Sequence, residues 1–158
     1  LTLITESNYE KILKYFTVIL KEIPQHAEGD KGEAYNSLTA LLKLNLITET
    51  NYEKILKDFL GILKEIPQYA IISKVFVYNR LTGLFRSGLI TATNQVDIFS
   101  ILKEIPQYAG ERTLETYHSF INLLKLTSIT GVNQKQTFSI TKEILLYAKK
   151  GTPHSLDW

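Results

Sequence analysis

Apolar residues recur at helical spacing along most of this chain. The run Tyr52, Ile55, Leu56, Phe59, Ile62, Leu63 and Ile66 has steps of three and four. This spacing is typical of a helix with one buried face, and we name the segment helix A. A second pattern, helix B, combines one tyrosine with three large apolar residues: Tyr35, Leu38, Leu41, Leu42; Tyr78, Leu81, Leu84, Phe85; and Tyr117, Phe120, Leu123, Leu124. The patterns predict an all-α protein built from helix pairs.

The helix pairs are copies of one another. The segment 3–14 returns almost unchanged as segment 46–57, at an offset of 43, and weaker versions begin at Leu89 and Ser128. Four copies therefore cover residues 3–45, 46–88, 89–127 and 128–158, the last of them incomplete. Such self-similarity predicts tandem antiparallel helix pairs stacked in one domain over residues 1–158, an α-solenoid-like array with copies of 39 to 43 residues.

Helix A is four residues shorter in the last two copies. From the Leu-Ile-Thr signal to the Lys-Glu-Ile signal there are 18 positions in the first two copies and 14 in the others. Four residues turn a helix by about 400°, so the deletion removes one turn and nearly preserves the apolar face. We expect a third helix A that is one turn shorter, with Lys103 exposed and these residues buried: Ile98, Phe99, Leu102 and Ile105.

Polar residues and prolines predict the helix ends. Thr-x-x-Asn precedes each helix A at Thr5 and Asn8, Thr48 and Asn51, Thr91 and Asn94, and Thr130 and Asn133. We interpret the threonine as the N-cap and the asparagine as its partner in a capping-box variant. Helix A is expected to end before Pro24, Pro67 and Pro106, and helix B near Asn45, Gly88 and Thr127. Leu145 replaces the proline in the fourth copy, so that helix A is expected to run on, and Thr152-Pro153 would begin the next helix B.

Composition reduces the number of plausible partners and sites and leaves the predicted architecture unchanged. The net charge of +2 is too small for the positive field on which nucleic-acid backbone binding depends. The chain has no Cys, so a thiolate metal site is excluded, and no apolar run approaches the ~20 residues that span a bilayer. Because it begins at Leu1 without a signal pattern, we expect a piece of a longer protein.

No set of residues has the spacing of a catalytic, metal or cofactor site. His26, His118 and His154 occupy unrelated positions, and we interpret them as surface or interface residues. Tyr35, Tyr78 and Tyr117 recur once per copy and would suit base stacking, although core packing is the favoured interpretation. We predict that the protein is not an enzyme and needs no cofactor or metal.

Repeated Lys-Glu pairs are the candidate partner-docking edge. They stand at Lys21 and Glu22, Lys64 and Glu65, Lys103 and Glu104, and Lys142 and Glu143. Equivalent positions on stacked helices would align the pairs along one edge. A solvated face is the favoured interpretation of such charges, and a docking edge is the alternative.

The Leu-Ile-Thr-x-x-Asn signal, followed by an amphipathic helix and a Leu-Leu-rich second helix, resembles helical repeats in type IV-secreted effectors of intracellular bacterial pathogens. Copies three and four lack the aromatic residue that follows the asparagine. The resemblance implies a module that acts on host proteins, in the host cytoplasm, or that supports a neighbouring catalytic domain. It carries over no active-site residue.

The predicted function is a non-enzymatic scaffold whose concave face binds a protein or peptide, since solenoids create extended surfaces and no chemical constellation is present. A nucleic-acid-binding superhelix and a helical arm of a larger enzyme are the alternatives. Interleaving of lysines with acidic residues weighs against the nucleic-acid alternative. The half copy would leave an apolar end uncovered, which favours a homodimer through the C-terminal end.

Overall fold

The computed structural model describes residues 9–27, 29–44, 46–48, 50–70, 74–130 and 133–150. Within these ranges the chain is all-α, as predicted. Its helices are α1 Tyr9–His26, α2 Lys31–Leu42, α3 Tyr52–Tyr69, α4 Lys74–Arg86, α5 Gln95–Ala109, α6 Thr113–Thr130 and α7 Gln134–Lys150, with a 3₁₀ turn at Gly110–Arg112. The odd-numbered helices correspond to the predicted helix A segments and the even-numbered ones to the predicted helix B segments.

Helices that occupy the same position in successive copies pack against each other. In one row α3 lies between α1 and α5, and α7 packs on α5; in the other row α4 lies between α2 and α6. Pairs such as α1 with α2 and α5 with α6 join the two rows. One hydrophobic core runs through both rows, from Ile19 in α1 to Leu145 in α7.

The predicted apolar faces are the buried faces. All seven predicted core positions of α3 are buried, and so are the four predicted positions of α4. The third helix A is confirmed as the shorter one, since α5 has 15 residues and α3 has 18. Ile98, Phe99, Leu102 and Ile105 are at most 2% exposed, whereas Lys103 is exposed. The register of the deletion was therefore predicted correctly.

The Thr-x-x-Asn signal forms a hydrogen-bonded clip before the helix. Asn94 Oδ1 accepts from the Thr91 N–H at 2.7 Å, Thr91 Oγ1 accepts from the Asn94 N–H at 3.3 Å, and Asn94 Nδ2 donates to the Leu89 carbonyl at 3.0 Å. Asn51 makes the first and last of these bonds in the second copy. The first two bonds at Thr91 and Asn94 are the reciprocal contacts of the predicted capping box, of which the second copy makes one.

The N-cap residue itself was predicted wrongly in these copies. Helices α3 and α5 begin at Tyr52 and Gln95, so the residue at the cap position is Asn51 or Asn94 and the threonine lies one turn earlier. Thr130 lies inside α6, and Asn133 Oδ1 accepts from the Lys135 N–H at the start of α7. Thr5 and Asn8 lie outside the described residues.

Helix A does not end before its proline, which corrects the prediction. The helices run on to His26, Tyr69 and Ala109, with Pro24, Pro67 and Pro106 in the last turn. A proline there removes only one N–H donor, while the residue before it stays on the buried face; Ile66 and Ile105 are fully buried. Burial of this face therefore outweighs the local preference for an end.

Two of the helix B ends are displaced by less than one turn from the residues near which they were predicted. Helix α2 ends at Leu42 and α6 continues through Thr127 to Thr130, while Asn45 lies outside the described residues. Gly88 does follow the end of α4 with a φ of 78°, the left-handed conformation that favours glycine. The fourth helix A runs on to Lys150, as expected from Leu145, whereas Thr152, Pro153 and Trp158 lie outside the described residues.

Candidate interaction groove

A groove of about 430 Å³ lies between the first two A helices, and we name it the α1–α3 groove. It is lined by Lys11, Lys14, Tyr15, Val18, Ile19, Glu53, Leu56, Lys57 and Leu60. The lining combines apolar side chains with three lysines and one glutamate. This combination suits an apolar ligand that also carries negative charge.

Aromatic contacts hold Tyr15 in the groove. Its ring meets Tyr52 edge to face with the centroids 6.0 Å apart, and the Lys57 ammonium lies 6.0 Å from the Tyr15 centroid. Tyr52 is buried and fixes one side of this pair. A half-buried tyrosine between a fixed ring and a lysine offers an amphipathic contact surface at low entropic cost.

The α1–α3 groove is where two nearly identical helices differ. Helices α1 and α3 have 18 residues each and differ at four aligned positions, 15 and 58, 17 and 60, 18 and 61, and 26 and 69. Three of these four positions contribute a residue to the groove, namely Tyr15, Val18 and Leu60. The sequence differences between α1 and α3 are thus concentrated at the groove.

The next interface has a different, polar character. Between α3 and α5 a smaller groove of about 310 Å³ is lined by Lys54, Asp58, Ser100, Lys103, Glu104, Gln107 and Tyr108. Lys54 pairs with Asp58 at 3.2 Å. The Lys103 side chain lies so close to Gly61 that a Cβ there would be 2.9 Å from its Cε. In α1 the position that Gly61 holds in α3 is occupied by Val18, whose side chain lines the α1–α3 groove.

The predicted Lys-Glu edge occupies equivalent positions on the four A helices. Lys21, Lys64, Lys103 and Glu143 are exposed, while Glu22, Glu65, Glu104 and Lys142 are half-buried. Two of the lysines reach back to the preceding A helix: Lys103 lies against Gly61, and Lys142 pairs with Asp97 at 3.2 Å. Lys103 and Lys142 thus contact the preceding A helix, whereas Lys21, Lys64 and Glu143 are exposed.

The recurrent tyrosines belong to the core. Tyr78 and Tyr117 are fully buried and Tyr35 is half-buried, so the first two rings cannot stack on bases. The Tyr117 hydroxyl donates to the Leu102 carbonyl at 2.7 Å. Burial raises the pKa of both Tyr78 and Tyr117, with smaller contributions from Asp30 at Tyr78 and from Tyr78 and Glu65 at Tyr117.

Of the three histidines, His118 is the one whose side chain the structure describes. His118 is exposed and contacts Asn122 at 3.2 Å, His26 is the last residue of α1, and His154 lies outside the described residues. Across the described ranges, no group of three His, Asp or Glu side chains is placed to hold a metal. A helix long and apolar enough to cross a membrane is likewise not found among the described residues.

Sequence reasoning missed the α1–α3 groove. It predicted which face of each helix is buried but gave no means of locating a gap between two packed helices. The differences at Tyr15 and Val18 within an otherwise repeated helix were the available signal.

No family model, curated protein or solved structure matches the chain.

Proposed function

We propose that the chain is a helical-repeat scaffold without catalytic function, which binds a partner protein in the α1–α3 groove. The partner segment carries apolar side chains for Tyr15 and Val18 and acidic side chains for the lysines at the rim. In this proposal the two rows of helices are a solenoid-like stack of four copies. The effector resemblance fits such a scaffold, with a host protein in the host cytoplasm as the partner.

The concentration of sequence differences in the groove carries this proposal. In α3 the positions of Tyr15 and Val18 are occupied by Asp58 and Gly61. The groove between α3 and α5 is polar, and the Lys103 side chain lies against Gly61 there. Tyr15 and Val18 instead keep the first interface apolar and open. An apolar floor with charged residues at its rim is typical of a protein-interaction surface.

The test compares two variants that each copy α3 residues into α1. Peptides of random sequence are selected on the full chain, and affinity of the selected peptide is measured by fluorescence anisotropy. The double variant Tyr15→Asp with Val18→Gly changes the groove lining, and we expect it to weaken binding at least about tenfold, or ~1.4 kcal/mol. Thr17→Leu also copies α3 into α1 but lies outside the groove lining, and it should leave the affinity unchanged.

The composition of the selected peptides is a second readout. We expect enrichment of acidic and large apolar residues, with affinity that falls as salt rises because lysines line the groove. Equal binding by the double variant and the wild-type chain would place the partner elsewhere. Selection of no peptide, together with salt-dependent binding of single-stranded RNA, would favour the nucleic-acid alternative.

A further inference from the structure

The outer face of α7 exposes residues whose counterparts are buried in every earlier copy. Ile140 occupies the position of Ile19, Ile62 and Ile101 in helix A, and Ile144 that of Ile66 and Ile105. Ile140 is 50% exposed and Ile144 is 37% exposed, whereas all of their counterparts are at most 1% exposed. With Glu143 and Tyr147 they line a shallow depression of about 310 Å³. Among the described residues, no helix packs on this face of α7 as α3 packs on α1 or α5 on α3.

The outer face of α1 likewise exposes residues whose counterparts are buried. Leu13 and Leu20 occupy the positions of Leu56 and Leu63 in α3, which are 1% and 0% exposed. In α1 the two leucines are 44% and 48% exposed. Leu56 lines the side of α3 that meets α1, so Leu13 lies on the side of α1 that a preceding A helix would cover.

We infer that this chain associates head to tail, with the α7 face of one molecule packed on the α1 face of the next. The inference rests on the proposed repeat stacking, because it continues the series of contacts from α1 to α3, α5 and α7 across molecules. Such a contact is heterologous, since different surfaces of the two copies meet. It therefore leads to open chains or closed rings of molecules rather than to a symmetric dimer.

The two faces match in spacing and charge. Leu13, Thr17 and Leu20 are spaced by four and three residues, and so are Ile140, Ile144 and Tyr147. Exposed Lys14 lies beside the first stripe, and exposed Glu143 lies within the second. Exposed apolar side chains with opposite charges close by are the chemistry by which packed helices recognise each other.

Two blocked variants test the inference. The head-blocked variant carries Leu13→Lys and Leu20→Lys, and the tail-blocked variant carries Ile140→Lys and Ile144→Lys. Sedimentation velocity over a wide concentration range is expected to show self-association of the wild-type chain beyond a dimer. Each blocked variant alone should sediment as a monomer of 18.1 kDa. An equal mixture of the two should form a dimer and nothing larger, because each variant supplies the face that the other lacks.

Other outcomes would overturn the inference. A head-blocked variant that still forms dimers, beside a monomeric tail-blocked variant, would show a symmetric contact through α7. A wild-type chain that stays monomeric at all concentrations would exclude both contacts. Circular dichroism checks that the variants fold. The substituted positions lie outside the α1–α3 groove, so peptide binding by the blocked variants reports on the proposed function separately.

Discussion

At the residue scale, a tyrosine compensates for a proline in the neighbouring helix. Pro106 has no N–H to donate to the Leu102 carbonyl four residues earlier, and the Tyr117 hydroxyl donates to that carbonyl instead. Tyr78 stands fifteen residues after Leu63, as Tyr117 does after Leu102. The buried Tyr78 hydroxyl has no hydrogen-bond partner among the described residues. The same spacing of proline and tyrosine thus gives a hydrogen-bonded hydroxyl at Tyr117 and none among the described residues at Tyr78. The sequence alone could not distinguish these two environments.

This difference predicts opposite outcomes for two Tyr→Phe substitutions. Tyr117→Phe removes the donor from a buried carbonyl and should lower the free energy of unfolding by about 1 to 3 kcal/mol. Tyr78→Phe removes a hydroxyl that lacks a partner and should be neutral or slightly stabilising. Urea denaturation of both variants measures the two effects. Equal destabilisation would mean that the Tyr117 bond contributes nothing specific.

The raised pKa values of Tyr78 and Tyr117 predict that stability falls at alkaline pH. Above pH about 10, tyrosines ionise in the unfolded chain while these two keep their protons in the folded chain. The unfolded state then binds fewer protons, so the free energy of unfolding decreases as pH rises, by at most about 1.4 kcal/mol per pH unit for each tyrosine. Below pH 10 this contribution is fully present.

Unfolding experiments across the alkaline range check this dependence. Urea midpoints of the wild-type chain should decrease as pH passes about 10, and tyrosinate absorbance should rise most in the unfolded baseline. A variant with phenylalanine at both positions should lose stability less steeply over the same range. An equally steep decrease in that variant would assign the effect to other groups.

At the element scale, the sequence predicted helix faces better than helix ends. The spacing of apolar residues determines which face of a helix is buried in the core. All seven predicted core positions of α3 are buried. The ends depend on competition between local signals and burial. In the last turn of α3 the buried face prevails over Pro67, and α6 continues past Thr127, where helix B was predicted to end, as far as Thr130. Local chemistry alone therefore places an end only to within a turn.

Alanine substitutions at two helical glycines distinguish the effect of helix propensity from the effect of a tertiary contact. Gly83→Ala in α4 places a Cβ in open space and should stabilise the fold by about 0.5 to 1 kcal/mol. Gly61→Ala in α3 gains the same propensity but its Cβ would displace the flexible end of Lys103. We expect Gly61→Ala to stabilise less than Gly83→Ala, by the cost of moving that side chain. Thermal unfolding of both variants, with and without Lys103→Ala, measures the difference, and a difference that persists without Lys103 would refute this explanation.

At the scale of the whole molecule, residues at equivalent positions of similar helices are buried in one helix and exposed in another. The repeat pattern predicted the all-α class and the core positions of interior helices. It could not predict the α1–α3 groove, because that gap depends on how Tyr15 and Val18 meet the facing helix. The exposed faces of α1 and α7 follow from position in the row, since among the described helices each of them packs on a single other A helix.

Position in the row predicts unequal effects of the same substitution in two copies. Leu63 and Leu20 occupy equivalent positions of α3 and α1, but Leu63 is fully buried and Leu20 is 48% exposed. Leu63→Ala should cost about 2 to 5 kcal/mol because it leaves a cavity in the core. Leu20→Ala should cost less than about 1 kcal/mol, because solvent already covers half of that side chain. Urea denaturation at low protein concentration measures both values. At high protein concentration the cost of Leu20→Ala should rise, because head-to-tail association would bury Leu20.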